Sequence, residues 1–164
     1  MDACARSRRM SSEDPEPSLT APHRISYTYK RTLGPVLSRF FTGLRDRKIL
    51  GIRRKDGTVM VPPKEYDPDT GETLADLVDV KDTGVIRTFA WVHHPRVKQP
   101  LDRPFAYALI QLDGADTPLL HVVDAGSESA IRTGMRVRAR WAAETVGAIT
   151  DIACFVPAGE EAGK

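Results

Sequence analysis

Apolar residues in this chain follow a helical rhythm first and strand rhythms afterwards. Gly34-Pro35 opens the helical stretch, in which Val36, Leu37, Phe40, Phe41 and Leu44 fall on one stripe at the spacing of about 3.6 residues per turn. Proline at the first helical position sets φ without removing a needed donor, so the pattern predicts an amphipathic helix of about 12 to 14 residues. Ile49 to Arg53 and Thr58 to Val61 follow as a short hairpin. Its turn is Lys55-Asp56-Gly57, where Asp and Gly tolerate the positive φ angles of a type I′ turn. Five more strand-like runs come at intervals of roughly 10 to 15 residues: Gly84 to His94, Phe105 to Asp113, Leu119 to Asp124, Met135 to Ala143 and Ala148 to Val156. Five short strands between Gly, Pro and Asp turns point to a small closed barrel of the oligonucleotide/oligosaccharide-binding (OB) type. Ser127 to Thr133 is placed as the short helix that plugs it.

Composition bounds the remainder. The 164 residues, 41% hydrophobic and with 12 prolines, suit one globular unit of about 130 residues with tails. Residues 1–25 are rich in Arg, Ser, Glu and Pro and are read as a disordered tail, as are residues 159–164. A formal net charge of +2 gives no strong reason to expect nucleic acid or an anionic membrane. Cys4 and Cys154 are too few for a disulfide scaffold, which favours a reducing compartment. No apolar run approaches the roughly 20 residues of a membrane span, and the basic, polar start lacks the apolar core of a signal peptide. The expectation is a cytoplasmic protein without a membrane partner.

The stretch Arg53 to Gly71, RRKDGTVMVPPKEYDPDTG, has the outline of a four-cysteine zinc ribbon. Such a ribbon aims two thiolate pairs from two tight turns at one tetrahedral metal. Here the four ligand slots hold Arg53, Asp56, Asp67 and Thr70, while the turn glycines Gly57 and Gly71 remain. A guanidinium is no metal ligand, and two carboxylates with a hydroxyl are a poor zinc set, so zinc is not expected. Turn chemistry, and pairing of Arg53 or Arg54 with Asp56 or Asp67, are the expected substitutes.

These features together resemble the family of acyl-CoA-associated proteins that join an N-terminal helix, a rubredoxin-like zinc ribbon and a C-terminal OB-fold. The resemblance rests on Ser38-Arg39-Phe40-Phe41-Thr42-Gly43-Leu44-Arg45, Ile49-Leu50-Gly51 and Val61-Pro62-Pro63. In the barrel it rests on Phe105-Ala106-Tyr107-Ala108-Leu109-Ile110-Gln111-Leu112 and Gly134-Met135-Arg136-Val137-Arg138. It implies a mainly β fold: an N-terminal amphipathic helix, a short zinc-less rubredoxin-like hairpin and a five-stranded OB-fold barrel. The implied domains are residues 26–76 for helix and degenerate ribbon and 77–158 for the barrel.

Members of that family resemble accessory subunits of thiolases, hydroxymethylglutaryl-CoA synthases or lipid-transfer-protein-type aldolases of steroid side-chain breakdown. The resemblance therefore implies a non-catalytic subunit that binds a thiolase-like enzyme, as a heterotetramer, and helps form its acyl-CoA site. A CoA thioester is expected only at the shared interface, with no cofactor held by this chain alone. The partner surface is placed on Tyr27, Tyr29, Val36, Leu37, Phe40, Phe41 and Leu44, because the stripe is wider than a tiny hairpin can cover and large apolar patches mark interfaces. Packing of the stripe on the chain's own barrel is the competing reading, and full enclosure of Phe40, Phe41 and Leu44 there would overturn the accessory-subunit account.

Arg136, Arg138 and Arg140 alternate with apolar residues, so a period of two puts three guanidiniums on one face. Such a row can grip CoA phosphates, nucleic acid or an acidic surface; plain solvation is the simpler reading. His93 and His94 point to opposite faces of a strand and cannot easily share a metal. His121 is read as a hydrogen-bonded strand histidine and Cys154 as a buried inert thiol. No catalytic residue is assigned. The alternative function is an OB-fold module for single-stranded nucleic acid, built on the barrel class and the Arg row; such barrels add stacking aromatics, but Phe89 and Trp91 share the strand face of Val85 and look like core.

Overall fold

In the computed structural model, which describes residues 21–23, 25–28 and 32–159, the helix spans Gly34–Arg45 (α1). Leu33 at its N-cap has no polar side chain to offer, and the amide of Val36 is met instead by Oε1 of Glu65 at 3.4 Å. A carboxylate there also suits the positive end of the helix dipole. At the other end Thr145 Oγ1 donates to the Arg45 carbonyl at 2.7 Å. Arg47 Nη2 donates to the carbonyls of Ala142 at 3.4 Å and Ala143 at 3.3 Å. Both ends of the helix are thus held by distant parts of the same chain. Among the described residues no helix is long and apolar enough to cross a membrane.

Those ties bring the apolar stripe onto the chain's own core, which corrects the expectation that it stays uncovered. Phe40 is 1% and Leu44 0% exposed, and both join one cluster with Ile86, Ile110, Val137 and Phe155 of the barrel. Val36 is buried with Ile52, Met60 and Leu74, while Leu37 and Phe41 are half-buried. A stripe this wide is accommodated because the barrel and the ribbon cover it from two sides. Val36, Phe40 and Leu44 are therefore not available as partner anchors. Tyr27 is 80% exposed, and Tyr29 lies outside the described residues. So do most of the residues in the two expected tails.

The ribbon is a three-stranded antiparallel sheet, of which the sequence showed two strands. Strands β1 (Ile49–Arg53), β2 (Val59–Met60) and β3 (Leu77–Val80) are ordered β2-β1-β3. β3 begins the segment assigned to the barrel, yet it pairs with β1 from Ile49↔Val80 to Ile52↔Leu77. The hairpin turn also differs from expectation. Gly57 has φ 89°, but Asp56 is not among the residues with positive φ, so a type I′ turn does not form. Gly57 N–H bonds the Arg54 carbonyl at 3.0 Å and Arg54 N–H bonds that of Thr58 at 2.8 Å, a longer loop with its glycine in the left-handed region.

Strands β4 (Thr83–Val92), β5 (Phe105–Leu112), β6 (Leu119–Val123), β7 (Arg136–Trp141) and β8 (Ile152–Pro157) close a barrel in the order β4-β5-β6-β8-β7. This is the connectivity of an OB-fold. Closure falls at Gly84, which pairs with Leu112 on one side and Val137 on the other. A Cβ there would stand 2.4 Å from the Gln111 carbonyl oxygen, closer than two such atoms approach. Where the plug helix was expected there is a single 3₁₀ turn, Glu128–Ala130.

A bulge near Arg87 shifts the β4–β5 register. Ile86 is fully buried before the bulge; after it, Phe89 and Trp91 pack against the core. The extra residue reverses the inward parity, so Phe89 and Trp91 do not share the face of Val85, contrary to the simple alternation.

Ribbon and barrel also share hydrogen bonds. The Val59 amide donates to Asp116 Oδ2 and the Asp116 amide returns a bond to the Val59 carbonyl, both at 2.8 Å.

Candidate functional site

The two turns that would carry zinc in a ribbon are joined here by a guanidinium. Arg54 Nε donates to Asp67 Oδ2 at 2.7 Å and Nη2 to Oδ1 at 3.1 Å, a bidentate pair. Its remaining contacts are with Asp69 and, at 3.3 Å, Asp56. Asp67, buried in a sharp turn, also accepts the amides of Asp69 at 2.9 Å and Thr70 at 3.1 Å. The bond from Arg54 is the first cause holding the Asp67 carboxyl well below the usual aspartate range.

Of the four slots, Arg53 turns away to Asp76 at 3.8 Å and Thr70 Oγ1 accepts the Glu72 amide at 3.4 Å. The residues present do not fit zinc: the acidic oxygens are committed to a guanidinium and to backbone donors, and neither a thiolate nor an imidazole stands among them. No grouping of three or more His, Cys, Asp or Glu suited to a metal occurs among the described residues.

The arginine row lies on one face of β7 as expected, but its charges are unequally free. Arg136 makes a bidentate pair with Asp113 at 2.7 and 2.6 Å, which holds that carboxyl down at about 2. Arg140 donates to Asp124 at 3.0 Å, and Arg103 reaches the same oxygen at 2.5 Å. Arg138 has no carboxylate partner among the described residues. Arg136 and Arg138 line a cleft of about 570 Å³ with Lys81, Thr83 and Asp113, and Arg140 is not part of it. A cleft with two unneutralised cations can hold an anionic group.

Aromatic side chains do not continue this basic face. Phe89, Trp91 and Trp141 pack against the core, so the stacking platform of a single-strand binder is missing from it. Among the other candidates, His93 stands 3.7 Å from Glu128 and is largely exposed. Cys154 is buried and burial pushes its thiol up, as befits an inert position.

A feature that sequence reading missed lies between β6 and β8. β6 and β8 run parallel and pair only at Val123↔Phe155, so their first halves enclose a gap. It opens into a groove of about 470 Å³ bounded by Leu101, Tyr107, Leu120, Ile149 and Ile152, with His121 in its lining. Asp151 fixes the wall that carries Ile149. Buried to 1%, it accepts the amides of Val146, Gly147 and Ala148 at 3.0, 2.8 and 3.1 Å.

His121 is 9% exposed and its Nε2 faces the Ile149 carbonyl at 3.5 Å. Nδ1 has no hydrogen-bond partner among the described residues, which corrects the reading of a fully bonded histidine. Burial lowers its pKa. The only sequence signal was an imidazole within an apolar strand beside exposed Leu120.

No curated protein matches this chain. The family model described as "ChsH2, C-terminal OB-fold domain" matches residues 77–142, from β3 through β7. Among solved structures, a chain of the Ltp2-ChsH2(DUF35) aldolase is similar over 78% of this chain and 98% of its own, with 22% identity and a TM-score of 0.58. A protein of unknown function of the DUF35 family from Sulfolobus solfataricus is similar over 65% of this chain and 78% of its own, with 23% identity and a TM-score of 0.53. At such identities the likeness is one of fold.

Proposed function

We propose that this chain is a non-catalytic subunit that binds a thiolase-like enzyme and contributes to the acyl-CoA site of the assembly. The observation that supports this best is the likeness to nearly the whole length, 98%, of a chain from an aldolase. It is joined by the family match over residues 77–142. The apolar face of α1 no longer contributes to the argument, since the chain covers it.

In this reading the partner performs carbon–carbon chemistry with its own residues, and the cleft beside Lys81 and Arg138 meets the CoA phosphates. The nucleic-acid alternative is weakened, because two of the three arginines are paired and Phe89 and Trp91 pack against the core.

The test is co-expression of the full chain with each thiolase-like protein of its source, followed by sizing and assay of aldol cleavage on CoA esters. Co-elution at the mass of a heterotetramer, with turnover greater than either protein shows alone, is expected. A chain that elutes alone beside every such protein overturns the proposal.

A further inference from the structure

One wall of the cleft beside Lys81 and Arg138 leads directly into acidic sequence. The lining includes Ala158 and Gly159, and the next two residues are Glu160 and Glu161, which lie outside the described residues. The point from which they depart is fixed. β8 pairs with β7 as far as Val137↔Pro157, and the Ala158 amide then donates to the Arg136 carbonyl at 3.0 Å.

Covalent geometry limits how far the two acids can go. Two residues of fully extended chain span only about 7 Å, so the Cα of Glu161 lies within that distance of Gly159 whatever dihedrals the backbone adopts. Both carboxylates are therefore tethered to the rim of a cleft of about 570 Å³.

Charge decides what they meet there. Asp113 is the one acid in the lining, and its carboxylate is taken up by Arg136 and the Thr83 hydroxyl. Lys81 and Arg138 have no carboxylate at ion-pair distance among the described residues. Two cations thus face two tethered acids.

We propose that Glu160 and Glu161 are a built-in competitor for this cleft, pairing with Lys81 and Arg138 and giving way to a ligand that carries several phosphate charges. The inference rests on the reading of the cleft as the place that meets CoA phosphates, and it adds regulation to that site. Acids held on the same chain act at a high effective concentration. Monoanions from solution are kept out, whereas a polyphosphate displaces the acids.

The full chain alone is titrated at low salt with inorganic pyrophosphate, followed by calorimetry. Glu160→Gln/Glu161→Gln should bind it about fivefold more tightly than the wild type, the scale of a few exposed charges several ångströms apart in water, and the gain should vanish at high salt. In an Arg138→Ala background, which alters an exposed side chain, the gain should shrink. Asp102→Asn/Glu144→Gln removes the same charge from exposed positions outside the lining and should leave the affinity unchanged. Carbodiimide, which joins an amine to a carboxylate in direct contact, should link Lys81 to Glu160 or Glu161, and pyrophosphate should suppress that link.

Equal affinity of the wild type and the Glu160→Gln/Glu161→Gln chain overturns the proposal. So does an equal gain in the control pair, a gain undiminished without Arg138, or a cross-link that pyrophosphate leaves intact. Absence of binding by every variant overturns it together with the anionic role of the cleft. Co-elution with a thiolase-like protein is read independently of all these results, so failure of the competitor and failure of the subunit reading are told apart.

Discussion

Arg54 lies among carboxylates contributed by two turns, and it shows how charge can replace coordination. Three of its nitrogens reach acids on both sides of the ribbon, so the two turns are tied without a metal. Arg54→Met leaves Asp67, which is buried, without its principal counter-charge. The midpoint of thermal unfolding is expected to fall by several degrees, while excess chelator leaves the wild type unchanged. Loss of stability on chelation would show that a metal is held after all.

The same pair carries a pH signature. Arg54 holds the folded Asp67 carboxyl far below its unfolded value of about 3.9. Its stabilisation is therefore fully present above about pH 4 and is lost as pH falls through the folded value. In urea titrations from about pH 6 down to about pH 2.5, the stability advantage over Asp67→Asn should shrink on acidification. A gap that does not change with pH would remove Asp67 from the account. The participants were legible in sequence because the Asp56 and Asp67 turns are compact and aim their acids inward. The bare Nδ1 of His121 was not, since it depends on how far β6 and β8 splay.

At the scale of elements, α1 was legible to the residue at its start, because Pro35 and the apolar stripe fix its phase. What the stripe faces was not legible. Periodicity says that a face is apolar but not which surface covers it, and coverage came from two sides at once. Leu44→Ala separates the readings. As a core residue it should cost the isolated chain about 2–5 kcal/mol in denaturant unfolding, whereas a partner anchor would leave that stability untouched and lose only the complex. Two strand features escaped for related reasons. β3 has only four residues, interrupted by Asp79, and its pairing with β1 is non-local. The bulge near Arg87 is set by closure of the barrel and has no periodic trace, so the sequence placed Phe89 and Trp91 in the core but could not show that Val85 lies on the other face.

For the whole molecule, the barrel class was readable from five short strands at regular intervals. The use of its faces was not, because pairing between charges decides which arginines remain free. With the aromatics turned inward, single-stranded oligonucleotides at low salt should leave the fluorescence of Trp91 and Trp141 unchanged. Quenching that reverses steeply as salt is raised would restore the nucleic-acid reading. The clasp at Arg54 also bears on how the molecule withstands oxidants. Thiolate ligands are open to attack by peroxide, which oxidises sulfur and releases what it held. A guanidinium locked between carboxylates has no sulfur to oxidise, so this sheet should keep its shape through oxidation and metal starvation that would unravel one held by thiolates on a metal.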